Sequence, residues 1–160
     1  MATTRKNWSL ITALILLVSG LAISGCSSSG AGVDGGVLSP VNGQLQIPVA
    51  GISDGKAHHF TAKADNGTMV EFFVLKSSDG ILRAAIDSCD VCYRSGLGYY
   101  QDGDYMICKN CGQKFASAKI NEIKGGCNPA PLNRSVIGDK LVINMQDINS
   151  NSWYMQYRKS

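Results

Sequence analysis

Residues 57–87 read AHHFTAKADNGTMVEFFVLKSSDGILRAAID, and their rhythm sets the fold class. Three short runs, AHHFTAK (57–63), MVEFFVLK (69–76) and ILRAAID (81–87), are separated by DNGT and SSDG. Aromatic and aliphatic side chains in short alternating runs fit a pleated surface, and Asn-Gly or Asp-Gly between them signals a tight hairpin connection. The pattern continues outward in both directions. QLQIPV (44–49) is closed by GISDG, and RSVI (134–137), KLVINM (140–145) and WYMQY (153–157) follow late in the chain. Helical periodicity is sparse; ASAKINEIK (116–124) could form a turn or two. This spacing predicts an all-β domain over residues 41–160, a small antiparallel sandwich or barrel around one modest core.

Between the third run and the late strands lies CDVCYRSGLGYYQDGDYMICKNCGQKF (89–115). It holds two Cys-x-x-Cys pairs, Cys89/Cys92 and Cys108/Cys111, with fifteen residues between them. The pairs are expected on loops at one end of the scaffold. Cysteines three apart in a tight turn aim both sulfurs at one point, where the turn's amides can donate to thiolates. Gly112, after the second pair, supplies the positive φ such a turn uses, whereas CDVCY has no glycine there and predicts a different turn. Two such turns facing one another offer four thiolates, a set suited to Zn²⁺, to a single iron or to an iron–sulfur cluster. The competing reading is a pair of disulfides, natural in an exported chain. Two adjacent Cys-x-x-Cys disulfides would be an odd staple, and the spacing favours a metal. Neither pair follows a βαβ pattern, which argues against thiol–disulfide exchange.

Cys127 lies in KGGCNPAPL, where glycines before it and prolines after it describe a rigid exposed turn. It could be a further ligand, a lid, a disulfide partner or a free thiol, and it is expected near the other four because loops at one end of a small β domain cluster. His58 and His59 are adjacent on a predicted strand and so point to opposite faces; His58 is carried as a candidate ligand. With no Ser/His/Asp constellation in evidence, hydrolytic nucleophilic catalysis is disfavoured. Asp87 and Asp90 flank Cys89 and are expected to shape its loop. Tyr93, Tyr99, Tyr100 and Tyr105 are candidates to shield the site from water.

The N-terminus bears on the compartment. Arg5 and Lys6 precede an apolar stretch from Leu10 to Ile23, too short to cross a bilayer comfortably, and ISGC ends at Cys26. Ser24 and Gly25 before Cys26 resemble a bacterial lipobox, which implies a signal peptide over 1–25, cleavage before Cys26 and a lipid on its sulfur. Acyl chains contributing about 0.8 kcal/mol per buried methylene would then hold the domain at a membrane. TRKNWSL weakly resembles a twin-arginine signal, but Lys6 stands where the second arginine belongs, so general secretion of an unfolded chain is expected. The Gly/Ser-rich stretch SSSGAGVDGG (27–36) lies within a flexible tether over 26–40. Without Arg5 and Lys6 the formal charge falls from +3 to +1, and no basic run or aromatic–arginine patch suggests a nucleic-acid partner.

The block from LRAAIDSCDVC to GGCNPAPL resembles the FtrD-like family of membrane-associated iron–sulfur proteins. The likeness extends upstream through DGKAHHF and FFVLKSSDG and downstream through GDKLVI. It implies an extracytoplasmic metal-binding domain found alongside ferrous-iron permeases and expected to carry electrons for them. Many relatives carry the domain after several membrane spans, whereas this chain shows a lipid-type signal. A looser resemblance is to the Rieske ferredoxin fold, whose ligands sit on C-x-H and C-x-x-H loops followed by a proline-rich loop. CKNCGQKF and GGCNPAPL stand in the same order after DGILRAAIDSC. This alignment puts Cys89 and Cys108 at the Rieske cysteines and Cys92 and Cys111 where histidines belong. It implies an all-thiolate [2Fe–2S] centre near about −400 mV rather than a Rieske potential of roughly −150 to +300 mV.

Two functions follow as expectations. One is an envelope-bound electron-transfer accessory to iron uptake, its iron or iron–sulfur cluster on Cys89, Cys92, Cys108 and Cys111, and its partner an iron permease or an envelope redox protein. The other is a Zn²⁺-stapled binding module, or a metal-delivery protein working through Cys127, with no redox role.

Overall fold

The computed structural model describes residues 36–158. The signal segment, Cys26 and residues 27–35 of the expected tether lie outside the described residues. The strands in chain order are β1 (Val37–Leu38), β2 (Gln44–Pro48), β3 (His58–Lys63), β4 (Met69–Lys76), β5 (Leu82–Ile86), β6 (Tyr99–Asp102), β7 (Tyr105–Cys108), β8 (Lys114–Ala116), β9 (Ser135–Ile137) and β10 (Lys140–Asn144). One short helix, α1 (Met145–Ser150), follows β10. No helix among the described residues is long and apolar enough to cross a membrane.

The runs of residues 57–87 form the meander β3–β4–β5. Lys63 stands opposite Met69, and Lys76 opposite Leu82. In the first connection Gly67 takes a φ of 87°, and the Asn66 side chain accepts from the Thr68 amide at 3.0 Å. That is the local reason why Asn-Gly sits there. Val37–Leu38, read from the sequence as tether, adds a short parallel strand beside Thr61 and Ala62.

The expected sandwich is an all-β fold of three open sheets among the described residues, with no closed barrel. The order is β1–β3–β4–β5 in the central sheet, β2–β10–β9 in the second and β6–β7–β8 in the third. The central sheet is buried on both faces. Phe72 and Val74 of β4 join Leu45, Ile47, Leu141 and Ile143 in one apolar cluster. Phe73 and Leu75, one residue out of phase, join Tyr99, Met106, Cys89, Cys92 and Cys108 in another. The run FFVL is therefore continuous rather than alternating because both faces of β4 are buried from Phe72 to Leu75. The second cluster carries the cysteines.

Two sequence expectations change and a third narrows. WYMQY does not form a strand: Ser152–Met155 is a 3₁₀ turn whose aromatic rings pack on one another, with Trp153 and Tyr154 stacked at 3.8 Å. The turn or two expected in 116–124 is a single 3₁₀ turn at Ser117–Lys119, entered directly from the end of β8. The cysteine region contains the three-stranded sheet β6–β7–β8, so Cys108 sits at a strand end.

Arg83 is the one basic residue of ILRAAID, and it is 2% exposed. Its guanidinium bonds Asp79 at 2.7 Å, the Ile120 carbonyl at 3.2 Å and Glu122, fastening segment 117–124 to the meander. The Ser77 hydroxyl and, less strongly, Arg83 hold the Asp79 carboxyl down at about 2, against an ordinary 3.8. A carboxyl depressed by folding stabilises above its unfolded value and loses that contribution as pH falls through its folded one. Wild type is thus expected to exceed Asp79→Asn in denaturant midpoint at neutral pH, with the gap closing as pH falls from about 4 to about 2. A gap that stays constant across that range would contradict this assignment.

Candidate metal centre

The first cysteine turn leaves the end of β5. The Cys92 amide donates to Cys89 Sγ at 3.2 Å, and the Tyr93 amide to the Cys89 carbonyl at 3.1 Å. A 3₁₀ turn over Tyr93–Ser95 follows and is closed by Gly96 at a φ of 67°. The first turn thus reaches its positive φ only at Gly96, four residues after Cys92, rather than directly after the second cysteine. In the second turn the Gly112 amide donates to the Cys108 carbonyl at 2.9 Å, with Gly112 at a φ of 73°. The two turns are joined where the Lys109 amide donates to the Gly98 carbonyl at 2.9 Å.

The third loop is brought in along the free edge of β5. Ala130 donates to the Ser88 carbonyl and Leu132 to the Ala84 carbonyl, and the Ile86 amide donates back to Ala130. Pro129 and Pro131 occupy the alternate positions, where no donor is required, so an alternating proline segment can pair there. The Asn121 side chain bonds both the amide and the carbonyl of Ala84, substituting for a strand residue on the same edge. This docking delivers Cys127 to the first turn, with Cys127 Sγ 3.7 Å from Cys92 Sγ.

Five sulfurs therefore meet. Cys89, Cys92 and Cys127 form one set, and Cys92, Cys108 and Cys111 another, with all sulfurs in a set within 4.8 Å of one another. Cys92 belongs to both. Neither set holds both Cys89 and Cys108, the pair that matches the two Rieske cysteines. None of the five is in a disulfide. Cys89, Cys92 and Cys108 are buried, Cys127 is half-buried and Cys111 is exposed. His58 is in neither set; it is buried, with Nε2 2.8 Å from Asp54 Oδ1.

Burial pushes the thiols of Cys92, Cys108 and Cys127 up, to about 11, about 12 and about 11. The backbone amide of Gln113 draws Cys111 the other way, below its ordinary value. Around the sulfurs, Asn110 Nδ2 donates to Cys92 Sγ at 3.2 Å. Tyr99, 1% exposed, pairs with Cys108 across the β6–β7 ladder and donates its hydroxyl to the Cys127 carbonyl at 2.6 Å. Of the four tyrosines expected to shield the site, Tyr99 does so. Tyr100 and Tyr105 are exposed, and Tyr93 packs edge-on against Trp153 and Tyr157.

The acids beside Cys89 are structural. Asp87, 1% exposed, accepts from the Tyr99 amide at 2.7 Å and from Arg158 at 2.5 Å, and Asp90 accepts from the Tyr154 hydroxyl. Arg158 also bonds Glu71 and the Asp87 carbonyl, so the end of the described chain clamps the base of the first turn. Nothing in the run WYMQYR points to this partner, because the contact spans 71 residues. Gly98 is packed into the clamp: at a φ of +70°, a Cβ there would lie 2.3 Å from Asp87 Oδ2 and 2.6 Å from Arg158 Nη1. Gly98→Ala is expected to cost roughly 2–4 kcal/mol. Gly67→Ala, with a φ of +87° but no neighbour within 4 Å, is expected to cost about 1–2 kcal/mol. Equal losses in denaturant unfolding would refute the clamp.

The donor chemistry fits a thiophilic metal. Both sets are all sulfur, and soft thiolate ligands favour zinc, copper(I) and iron–sulfur chemistry. The observed Cys92–Cys127 separation is close to the edge of a tetrahedron with metal–sulfur bonds of about 2.3 Å, which is roughly 3.8 Å.

The family comparison agrees with an iron–sulfur site. The family model for the membrane iron–sulfur containing protein FtrD-like matches residues 52–155. No curated protein matches significantly. Among solved structures, a quaternary ammonium Rieske monooxygenase in complex with an inhibitor is similar, with 13% identity and a TM-score of 0.43 over 72% of this chain. The match spans 32% of that enzyme. The family match covers most of the chain and every cysteine of the site: this protein belongs to the FtrD-like family of membrane iron–sulfur containing proteins.

Proposed function

We propose that the protein is a lipid-anchored electron-transfer accessory to iron uptake on the extracytoplasmic side of a bacterial envelope. Its iron or iron–sulfur centre is held by Cys89, Cys92, Cys108 and Cys111, with Cys127 beside them. The observation that carries the reading is the convergence of five sulfurs from three loops, with no nitrogen or oxygen donor in either set. When bound, an iron centre ligated only by thiolates supplies one-electron transfer at low potential, about −400 mV for a [2Fe–2S] cluster.

The chain's own groups serve that role. Tyr99 covers the buried side, where exclusion of water keeps the thiolate charge uncompensated by solvent. Asn110 and the Cys92 amide donate to sulfur, and such bonds tune the potential. Cys111 at the exposed rim leaves one side of the site open to a redox partner, in this reading an iron permease or another envelope redox protein. Cys26 carries the lipid, so Cys26→Ala is expected to move the protein from the membrane to the soluble fraction.

The test is an optical redox titration of protein exported by its own signal and purified without oxygen. A reversible wave at strongly negative potential supports electron transfer. Protein that carries stoichiometric zinc and shows no visible band would overturn it. The zinc-stapled module then stands, a reading favoured because Zn²⁺ loads onto thiolates outside the cytoplasm without cluster-assembly machinery.

A further inference from the structure

A single four-coordinate ion, or a [2Fe–2S] cluster with four protein ligands, leaves one of these sulfurs over. The geometry accounts for the fifth. Two sets of three sulfurs each lie within 4.8 Å of one another and share Cys92, and Cys111 and Cys127, one from each set, are also close enough to interact. Each set pairs one further buried sulfur, Cys89 or Cys108, with one rim sulfur, Cys127 or Cys111. Cys92 lies between the loops, 3.7 Å from Cys127 and bonded through Asn110 to the second turn. A thiolate sulfur has lone pairs enough to bind two ions at once, and a central sulfur common to two triads is placed to do so.

We propose that the site is a two-ion thiolate centre in which Cys92 Sγ is shared. Cys89 and Cys127 complete one ion, and Cys108 and Cys111 complete the other. The inference rests on the reading that these cysteines are metal ligands and adds to it the ion count and the role of Cys127. Each ion receives three thiolates. That would satisfy a soft monovalent ion such as copper(I). Each thiol gives up its proton to solvent as its sulfur–metal bond forms, so loading releases one proton per cysteine and leaves no metal oxidised or reduced.

The test uses copper(I) as the probe, titrated without oxygen into the reduced full chain against a chromogenic chelator, with native mass spectrometry to count bound ions. Wild type is expected to take about two ions per chain. Cys127→Ser and Cys111→Ser are each expected to take about one, because each removes a terminal sulfur from one triad only. Cys111 is exposed, so its serine variant tests the count without disturbing the core. One ion in wild type, or two in either variant, would overturn the two-ion centre and leave the metal-site reading standing. No bound copper(I) would overturn both.

Discussion

Replacing Cys92 by serine is expected to produce the largest loss of metal of any single change in the protein. Apparent binding energies of roughly 10–16 kcal/mol in four-ligand zinc domains correspond to about 2.5–4 kcal/mol per ligand. That is on the order of 10²- to 10³-fold in affinity for each thiolate removed. Cys92 counts twice because it belongs to both sulfur sets, whereas Cys111 and Cys127 each belong to one. Metal retained after dialysis against a graded series of chelator concentrations would rank the variants. Cys92→Ser should lose metal at the lowest concentration and Cys111→Ser at a higher one. If Cys92→Ser retained metal as well as Cys111→Ser, the central position given to Cys92 would be wrong.

Phe73→Ala and Phe72→Ala should destabilise the fold about equally, by roughly 3–5 kcal/mol each, since both rings are fully buried. Their effects on the cysteines should differ. Strand alternation sends Phe72 into the cluster shared with the second sheet and Phe73 into the cluster with Cys89, Cys92 and Cys108. Phe73 also lies 6.3 Å from the Tyr99 ring. A cavity at Phe73 loosens the floor of the site, so thiol labelling under native conditions should speed up in Phe73→Ala well beyond Phe72→Ala. Equal labelling rates at matched stability would show that the two cores do not act separately.

The meander was legible because its information is local: Asn66-Gly67 and Asp79-Gly80 set the turns, and the aliphatic runs between them fit strands. The sheet β6–β7–β8 was harder to read. Its strands are short, polar residues interrupt YYQDGDYMIC, and the cysteines compete with the strand pattern for interpretation. WYMQY has strand-forming residues, but its rings find partners in one another and in Tyr93 instead of in a neighbouring strand. Strand propensity there loses to side-chain packing.

The site divides in the same way. Cys-x-x-Cys spacing reveals each turn and Gly112 its backbone, because both are properties of five consecutive residues. The approach of Cys127 depends on the proline segment pairing with one edge of β5, and the clamp on Asp87 depends on Arg158 returning from the far end of the chain. Spacing alone cannot specify such long-range choices. Asn110 is intermediate: it lies inside CKNC, and an amide between two ligands is a readable candidate for a sulfur donor.

The deciding measurement is the iron, zinc, copper and acid-labile sulfide content of the protein exported by its own signal and purified anaerobically, with its visible spectrum before and after dithionite. Iron at about two per chain with labile sulfide, and a visible band that bleaches on reduction, is the expected result. Stoichiometric zinc, no sulfide and no visible band would contradict it.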